Sequence, residues 1–509
     1  MDKNWVDIFQ KTVSENEEKI AVIHGEDKIS FAELNQKALR LASVILEKTD
    51  AVNRPIAVLL PKSTAVVYSD IGITYSHNIF SNLDVKTPKE RLNNIIKTMK
   101  PIGVITDTNG GELLELSPDI FTIYVDSLHS EMEINKEAVL ARLEYQIDTD
   151  PFCIINTSGS TGTPKGVVLN HKSFFDFMEW SIDTFDFGAD EIIGALSPVV
   201  FDIYDYEICL MMAKGATIVM LDAGLAAFPV KLLQELQDKQ VTFMFWVPTI
   251  MVNIANMDLL SRIELTSVKT IWFAGEVFPT KQFNYWKNKL PDTVFANLYG
   301  PIEITLDCLY YIVDRSFQDD EPLPIGIPCK NTDILLLDDE NQLCGLDKEG
   351  EICVRGTSLS MGYYNNWEKT QEVFVQNPLN HEYPELIYRT GDIGYKSSKD
   401  SLIYFKGRKD SLIKHMGYRI ELGEIEHVIV NDLKAVKNCC AVYNYKKKEI
   451  VLFFEKDKLD GKEIRKQLGG LFPRYMIPTV WKEMEELPRN TNGKIDRLFL
   501  SKKINESDD

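Results

Sequence analysis

The stretch on which the interpretation of this chain depends reads Thr157-Ser-Gly-Ser-Thr-Gly-Thr-Pro-Lys-Gly-Val167. It places three glycines, five hydroxyl side chains and one lysine directly after the apolar run Phe152-Cys-Ile-Ile155. A strand that ends in such a loop offers backbone N–H groups, hydroxyl donors and one mobile cation to a polyphosphate. The loop is not a Walker A loop, because Lys165 follows Pro164 and precedes Gly166. For one such run taken alone, a flexible surface turn is the competing interpretation.

Length and composition limit the class of protein. A chain of 509 residues is too long for one ordinary core, so we expect two or more domains. Its 44% hydrophobic and 26% charged residues are typical of a soluble globular protein, and no apolar run has the length of a membrane span. The N-terminus, Met1-Asp-Lys-Asn-Trp5, shows no secretory signal. The eight cysteines are scattered without a Cys-x-x-Cys pair, which argues against zinc or a disulfide framework and favours the cytoplasm.

The net charge of −20 disfavours nucleic acid and anionic membranes as general partners. The charge is uneven, because residues 405–509 hold 22 lysines and arginines against 17 aspartates and glutamates. A mildly basic tail on an acidic body fits a tail that meets an acidic partner. A solvated, lysine-rich surface is the alternative, and the charges alone favour it.

The pattern of apolar residues predicts an α/β (α+β) protein. Strands are predicted at 56–60, 103–106, 216–220 and 241–246, with helices over 33–48 and 229–239. Such alternation builds layered α/β sheets. Between about residues 333 and 405 the strands shorten and turns multiply, which predicts a β-rich subdomain.

After Gly407 the pattern changes to strand, helix, strand, helix, strand, enough for a small α+β domain. We therefore predict a large N-terminal domain over residues 1–406 and a small, mobile C-terminal domain over residues 407–509. The joint between them is placed at Gly407-Arg-Lys-Asp410.

Further segments follow the glycine-rich stretch in a fixed order. They are Phe201-Asp202, Asn297-Leu-Tyr-Gly-Pro-Ile-Glu303, Gly350-Glu-Ile-Cys-Val-Arg-Gly356, Tyr388-Arg-Thr-Gly-Asp392, Gly407-Arg-Lys-Asp410, Gly417-Tyr-Arg-Ile-Glu-Leu-Gly-Glu-Ile-Glu426, Phe472-Pro-Arg-Tyr-Met-Ile-Pro478 and Asn492-Gly-Lys-Ile-Asp-Arg497. This series resembles the adenylate-forming enzymes: peptide-synthetase adenylation domains, acyl-CoA synthetases and firefly-type luciferases. It is most similar to stand-alone D-alanine–carrier-protein ligases and amino-acid adenylation domains, and the resemblance covers nearly the whole chain.

The resemblance implies that a carboxylate attacks the α-phosphate of ATP, pyrophosphate leaves and an acyl adenylate remains. Catalysis then rests on positioning and charge neutralisation. By resemblance, Lys165 holds the β- and γ-phosphates and Glu303 binds Mg²⁺, a hard ion that suits a carboxylate. Tyr299 would stack on adenine, and Asp392 would bind the ribose hydroxyls. The complete ATP site implied in this way is Thr157, Ser158, Gly159, Ser160, Thr161, Gly162, Thr163, Lys165, Gly275, Glu276, Asn297, Leu298, Tyr299, Gly300, Pro301, Ile302, Asp392, Tyr404, Arg408 and Lys494.

The resemblance also implies a moving small domain. Lys494 would be its catalytic cation, bridging the substrate carboxylate and the α-phosphate, although a surface lysine in an Asn-Gly turn is the plainer alternative. Asp410 occupies the hinge position. Gly417 would line the tunnel for a pantetheine thiol, where a side chain would obstruct the thiol.

The activated acid is implied to be an amino acid. Asp202 stands where amino-acid adenylators place an aspartate against the substrate ammonium, and such a carboxylate disfavours acids that lack an amino group. An ordinary strand-end aspartate is the alternative. The other pocket positions carried over by motif are Ile203, Tyr206, Phe245, Trp272, Ala274, Leu298, Leu306 and Asp307. Most are large, which favours glycine, alanine or serine, whereas Asp307 would also suit a hydroxyl or a short cationic side chain.

The sequence departs from the family in two places. Ile302 replaces the usual threonine and removes a hydroxyl near the α-phosphate, a loss of about 0.5–1.5 kcal/mol for one neutral hydrogen bond. The stretch Ile73-Thr-Tyr-Ser-His77 lacks the usual Lys-Ala-Gly.

The acceptor of the activated acid is expected to be a separate phosphopantetheinylated carrier protein, because no carrier domain follows Asp509. An acyl-CoA ligase of the same fold, which uses free coenzyme A, is an open alternative. A non-catalytic nucleotide-binding protein, suggested by Ile302, is another. The expected cofactors are ATP and Mg²⁺, and neither nucleic acid nor a membrane is an expected partner.

Overall fold

The computed structural model describes residues 3–157, 164–409, 412–455, 461–489 and 495–506. Eight residues singled out in the sequence lie outside the described residues: Ser158, Gly159, Ser160, Thr161, Gly162, Thr163, Asp410 and Lys494. Their roles stay predictions.

The described residues form fifteen α-helices. In chain order these are α1 (Trp5–Asn16), α2 (Phe31–Lys48), α3 (Thr64–Tyr75), α4 (Lys89–Met99), α5 (Thr108–Gly111), α6 (Lys136–Leu143), α7 (His171–Phe185), α8 (Asp202–Lys214), α9 (Pro229–Asp238), α10 (Pro248–Asn256), α11 (Thr280–Lys289), α12 (Trp367–Val373), α13 (Leu422–His427), α14 (Gly461–Leu468) and α15 (Arg497–Asn505). Local sequence sets some of these bounds. Helix α2 begins with a capping box, in which Ser30 Oγ accepts the Glu33 N–H and the Glu33 carboxylate accepts the Ser30 N–H.

The described residues also form 25 strands. In chain order these are β1 (Ile20–His24), β2 (Asp27–Ser30), β3 (Pro55–Leu59), β4 (Ile79–Asn82), β5 (Gly103–Thr106), β6 (Phe121–Tyr124), β7 (Pro151–Thr157), β8 (Lys165–Asn170), β9 (Ile192–Ala195), β10 (Thr217–Met220), β11 (Phe243–Trp246), β12 (Thr270–Phe273), β13 (Val294–Tyr299), β14 (Leu309–Ile312), β15 (Ile327–Pro328), β16 (Thr332–Leu337), β17 (Gly350–Gly356), β18 (Phe374–Gln376), β19 (Leu386–Lys396), β20 (Ile403–Arg408), β21 (Leu412–His415), β22 (Tyr418–Glu421), β23 (Cys439–Asn444), β24 (Glu449–Glu455) and β25 (Val480–Met484).

The chain divides into two compact units. The first comprises Met1–Val85, Met99–Ile155 and Gly166–Gly407, and the second comprises Lys86–Thr98, Asn156–Lys165 and Arg408–Asp509. The domain bounds and the hinge expected from the sequence stay predictions.

The largest sheet of the first unit has nine strands in the order β15-β14-β13-β12-β11-β9-β10-β1-β2. Its central strands from β13 to β1 are parallel neighbours, and antiparallel strands close both edges. Parallel strands are normally covered on both faces, and every residue of β11 and β12 is buried. The carboxyl ends of these parallel strands meet at one edge, where ligands bind in open α/β sheets.

A second sheet has six strands in the order β6-β5-β3-β4-β7-β8. Strands β3, β4, β5 and β6 pair in parallel, and β4 also pairs in parallel with β7. Strand β7 is the apolar strand predicted to precede the glycine-rich stretch. Strand β8 begins within that stretch, at Lys165.

Helices α3 and α8 are buried all round, with almost every residue from Val66 to Tyr75 and from Ile203 to Met212 inside. A helix that is apolar on every side needs cover on every side. One core cluster provides it, since it joins residues of α1, α2, α3, α7 and α8 to residues of both large sheets.

The unusual stretch 73–77 ends in a strained turn. His77 has φ 59°, in the left-handed region that few residues other than glycine adopt readily. Its Nε2 lies 3.1 Å from Asp150 Oδ2, and its side chain is almost fully buried. Asp150 also accepts hydrogen bonds from Asn53 and from the Ile147 N–H. The buried contact with Asp150 holds a histidine in a conformation better suited to glycine.

The β-rich subdomain expected near residues 333–405 is present. It is a sheet with the order β16-β17-β19-β18, and β20 pairs with β19. Two of its turns, predicted from their Asn and Asp residues, contain Asn341 at φ 61° and Asn365 at φ 53°. Asparagine tolerates this region better than most residues do.

The described part of the second unit contains the β21–β22 hairpin, a sheet of β23, β24 and β25, and helices α4, α13, α14 and α15. Arg497 connects two of these elements. It donates to Glu426 Oε2 at 2.7 Å and to the Ala441 carbonyl, while Glu426 Oε1 accepts the Ala441 N–H at 2.6 Å. Helix α15 is thereby tied to α13 and β23. Arg91 of α4 is similarly paired with the buried Glu424 of α13.

The predicted fold class is confirmed: layered α/β sheets, a β-rich subdomain and smaller α+β elements near the C-terminus. The C-terminal order differs in detail from the expectation, because hairpins occur where single strands were predicted. Among the helices that the structure describes, none is long and apolar enough to cross a membrane.

Candidate active site

Three predicted pocket residues lie on neighbouring parallel strands. Phe245 is in β11, Trp272 in β12 and Leu298 in β13. Phe245 is the register partner of Trp272, and Trp272 is the partner of Ala296. The sheet therefore brings together side chains that are more than fifty residues apart in sequence.

Aromatic rings close the base of this predicted pocket. The Tyr206 ring stacks on Trp272 with centroids 5.2 Å apart, and Phe245 meets Trp272 edge-on at 5.4 Å. All three side chains are at most 1% exposed. The Tyr206 hydroxyl donates to Ser181 Oγ at 3.0 Å. Because the rings contact one another, they leave little free volume between α8 and the sheet.

Asp202 is the first residue of α8, one helical turn before Tyr206. It is partly exposed, whereas the next residue, Ile203, is buried. One oxygen, Oδ1, accepts the Ile203 N–H at 3.0 Å. The first turn of a helix favours negative charge, so the ionised carboxylate is stabilised there.

The connection after β13 makes a tight turn that no residue larger than glycine fits at position 300. A Cβ on Gly300 would lie 2.4 Å from both the Asp307 Cα and the Leu306 carbonyl oxygen. Thr305 and Leu306 adopt φ 57° and 64°, which is strained for residues with a Cβ. The buried Thr305 Oγ1 has no hydrogen-bond partner among the described residues. Leu306 and Asp307 are buried by this turn at 2% and 4% exposure.

Glu303 is fully buried in the same connection, within the 3₁₀ turn Ile302–Ile304. The Tyr363 hydroxyl donates to Glu303 Oε1 at 2.7 Å. The segment with Tyr363 pairs with β8, since the Val168 N–H donates to the Gly362 carbonyl at 2.9 Å. Strand β8 is thereby placed beside the segment whose Tyr363 reaches Glu303.

Two residues assigned by resemblance to the adenosine contact each other. The hydroxyl of Tyr299, at the end of β13, donates to Asp392 Oδ2. Both residues are buried. Burial, and next the charge of Asp392, raises the pKa of Tyr299 well above its usual value. Thr390 Oγ1 accepts the Asp392 N–H at 2.9 Å and donates to the Ile352 carbonyl, which fixes the middle of β19.

A further predicted pair lies after β12. Gly275 has φ 90°, where a side chain is strained. Glu276 Oε2 accepts the Thr249 N–H at 3.1 Å and the Thr249 hydroxyl at 2.5 Å. These contacts join the end of β12 to the start of α10.

The other predicted residues of the first unit either hydrogen-bond to protein groups or have apolar side chains. Asn297 donates its amide to the Pro324 carbonyl at 2.7 Å. Tyr404 donates to Asp400 at 2.8 Å and stacks on Tyr395. The apolar predicted residues Ala274, Leu298, Pro301 and Ile302 are buried.

In the second unit, Lys165 is 9% exposed and its Nζ lies 3.8 Å from Glu421 Oε1. Thr157 Oγ1 donates to the Lys165 carbonyl at 3.4 Å. Burial raises the pKa of Tyr445, and the positive charge of Arg408, at the end of β20, acts in the opposite direction. Gly417 has φ 83° in the β21–β22 turn, so the hairpin itself also calls for glycine.

A magnesium ion fits the chemistry of Glu303. Within the described ranges, no group of three or more His, Cys, Asp or Glu side chains could hold a metal ion. Mg²⁺ does not need such a group, because it keeps several waters and binds one or two carboxylates together with substrate phosphates.

Two residues of this region were missed from the sequence. Thr249 follows Pro248, which marks a helix start, but that signal does not indicate Glu276 as a partner. Tyr363 has no local signal that connects it to Glu303, since sixty residues separate them and only the folded β8 brings them together.

The turn at Gly300 gives a testable prediction. Gly300→Ala should lower the free energy of unfolding, because overpacking a close contact costs about 1–3 kcal/mol, and urea unfolding midpoints measure this change. Gly345→Ala is the matched control, since its Cβ would have no heavy atom within 4 Å. Equal midpoints for Gly300→Ala and Gly345→Ala would contradict the close approach.

Comparison with known proteins identifies the family. The family profile described as AMP-binding enzyme matches residues 9–364. Zwittermicin A synthase ZmaJ of Bacillus cereus is 28% identical over 97% of this chain and 94% of its own length. The chain spans only 11% of the length of two other curated relatives.

Solved structures agree with this assignment at the level of the fold. The Vibrio cholerae adenylation domain AlmE, in complex with glycyl-adenosine-5'-phosphate, has a TM-score of 0.84 at 20% identity and covers 99% of this chain and 98% of its own. The artificially fused adenylation-PCP di-domain NpsA-ThdA from Klebsiella oxytoca has a TM-score of 0.81 at 18% identity, over 94% and 93%. The resemblance seen in the motifs is confirmed, and the chain belongs to the AMP-binding, adenylate-forming enzymes.

Proposed function

We propose that this enzyme activates a small amino acid as its aminoacyl-AMP, with release of pyrophosphate, and transfers it to the phosphopantetheine thiol of a separate carrier protein. The observation that carries the proposal is the placement of Asp202. Its carboxylate stands partly exposed at the first turn of α8, one turn before Tyr206, whose ring belongs to a buried layer of aromatic side chains. A carboxylate at the mouth of an apolar pocket suits an ammonium group, which would otherwise be left without a counter-charge.

The size of the amino acid follows from the rings. Tyr206, Phe245 and Trp272 fill the space below Asp202 with side chains that contact one another. Moving any of them to admit a large substrate would break close packing. Glycine, alanine and serine therefore suit the pocket best. AlmE, whose solved complex holds glycyl-adenosine-5'-phosphate, supports a small substrate by its similar fold.

Asp307 adds a second carboxylate at 4% exposure. A carboxylate in the wall of the pocket would accept a hydrogen bond from a donor on the substrate. It favours a substrate with a hydroxyl or a short cation over one that ends in a methyl group. Among the small amino acids, Asp307 favours serine, which has a hydroxyl group. The side chains of glycine and alanine would make no contact with Asp307.

Two of the residues proposed for the nucleotide, Tyr299 and Glu303, flank the Gly300 turn. Tyr299 would meet the adenine and Asp392 the ribose, and their hydrogen bond shows that both side chains reach one point. Glu303 would hold a magnesium ion, which when bound offsets the charge of the phosphates. Lys165 and the glycine-rich stretch would hold the β- and γ-phosphates, while Lys494 would neutralise charge as it builds on the α-phosphate.

The proposed acceptor is a carrier protein in the cytoplasm. The excess of lysine and arginine in residues 405–509 suits an acidic partner. NpsA-ThdA, an adenylation-PCP fusion of similar fold, supports the pairing of such a domain with a carrier.

A pyrophosphate-exchange screen over all amino acids of both chiralities tests the proposal. We expect labelled pyrophosphate to enter ATP with one or more of glycine, alanine and serine, and the label to reach a holo-carrier protein. Exchange only with fatty or aryl acids would contradict amino-acid activation. Efficient transfer to coenzyme A, with none to a carrier protein, would replace the proposed acceptor. Absence of exchange with every acid would favour a nucleotide-binding protein without catalysis.

Asp202→Asn should weaken amino-acid binding while ATP binding stays unchanged. A hydrogen bond to a charged group contributes about 1.5–3 kcal/mol, so we expect the amino-acid KM to rise roughly ten- to a hundredfold. Exchange kinetics with each substrate varied in turn measure both constants. Asp238→Asn, an exposed aspartate on α9, is the control. An unchanged amino-acid KM in Asp202→Asn would place the ammonium elsewhere.

Lys494→Ala should nearly abolish adenylate formation but spare thioester formation from preformed aminoacyl-AMP. The reason is that the proposed rotation of the small domain removes Lys494 from the site after the first half-reaction. Single-turnover assays of each half-reaction separate the two effects. Lys502→Ala, an exposed lysine of α15, is the control. An equal loss in both half-reactions would contradict the rotation.

A further inference from the structure

Lys62 connects the two large sheets of the first unit. It follows β3 of the six-stranded sheet, just before α3. Its ammonium group donates to two carbonyl oxygens at the end of β9 in the nine-stranded sheet, to Ala195 at 2.6 Å and to Ser197 at 2.8 Å. The side chain is half-buried, so its cation lies in a partly water-excluded space between the sheets.

These two carbonyls stand at the start of the segment that leads to Asp202. Residues 196–201 join the end of β9 to the first residue of α8. Within this segment the Phe201 N–H donates to the Pro198 carbonyl at 3.2 Å. Lys62 adds two charge-assisted bonds from outside the segment, and such bonds are about twice as strong as neutral ones.

The far side of the same cation faces α8. Glu207, one and a half turns after Asp202, is fully buried, and neither of its carboxylate oxygens has a hydrogen-bond partner among the described residues. Its charge is the largest favourable charge on Lys62, followed by that of Asp222. Burial raises the pKa of Glu207 to about 8 against the effect of Lys62, and burial lowers the pKa of Lys62 to about 8. Lys62 thus interacts with the start of the segment through hydrogen bonds at β9, and with α8, the helix that follows the segment, through the charge of Glu207.

We propose that Lys62 is a positioning residue for amino-acid recognition: it holds residues 196–201 so that Asp202 meets the substrate ammonium. This inference rests on the proposed function. Among the residues that the structure describes, the hydrogen bonds of Lys62 go to Ala195 and Ser197 and to none of the predicted nucleotide residues. Its loss should therefore affect the amino acid and leave ATP binding intact.

The test compares Lys62→Met and Lys62→Arg with the wild-type enzyme in pyrophosphate exchange, varying the amino acid and ATP separately. Methionine keeps the length of the side chain but has no donor. Since a displacement of about 1 Å costs up to a hundredfold, we expect Lys62→Met to raise the amino-acid KM about ten- to a hundredfold while the ATP KM stays within about twofold. Lys62→Arg retains the charge but cannot place one nitrogen between both carbonyls, so its amino-acid KM should lie between those of the wild type and Lys62→Met.

Lys48→Met, an exposed lysine at the end of α2, is the matched control and should behave as the wild type. A wild-type amino-acid KM in Lys62→Met, or a parallel rise in both KM values, would overturn the positioning role. If Lys62→Met does not fold, Lys62→Arg decides: a raised amino-acid KM with an unchanged ATP KM supports the role, and an unchanged amino-acid KM overturns it. A wild-type enzyme without amino-acid-dependent exchange would instead contradict the proposed function itself.

Discussion

Three parallel strands, β11, β12 and β13, end at one edge of the nine-stranded sheet, and the rest of the candidate site depends on that alignment. Parallel pairing forces the strands to finish together, so the residues that follow them converge. Phe245 and Trp272 come from two of these strands, and Tyr299 ends the third. The buried side chains of Phe245 and Trp272 pack against Tyr206 of α8. This edge of the sheet thus provides the apolar base of the predicted pocket and the start of the polar loop that follows β13.

The polar loop has an energetic cost that the surrounding structure offsets. Thr305 and Leu306 occupy strained backbone conformations, and Gly300 packs against the backbone of Asp307. Such strain persists only where neighbouring contacts hold it in place. Here the contact from Tyr363 to the buried Glu303 provides part of that support, since β8 positions Tyr363 independently of the loop. The strained loop and the contact from Tyr363 together fix the position of the Glu303 carboxylate, which a flexible loop would not do.

Charge inside the first unit is arranged around the segment that carries Asp202. Lys62 bonds the carbonyls at one end of that segment, and Glu207 lies buried beyond its other end. Because Lys62 comes from one sheet and bonds two carbonyls of the other, neither carbonyl can move without losing a charge-assisted bond. The relative position of the two sheets is thereby coupled to the segment that leads to Asp202. In the proposed function, recognition of the substrate by Asp202 depends on Lys62, a residue far from it in sequence.

Local pattern determined much of this protein. The apolar runs predicted β3, β5, β10 and β11 within two residues, and the ordered motifs identified the family, because short-range periodicity and turn chemistry are local properties. Only the tertiary structure decided which side chains meet: that Tyr363 reaches Glu303, that Thr249 holds Glu276, and that His77 is held by Asp150. These partners are tens of residues apart, and their contacts arise from sheet order and helix packing. No periodicity along the chain predicts such contacts. Burial favours those of Glu303 and His77, since an unpaired polar group in the interior costs more free energy than one hydrogen bond contributes.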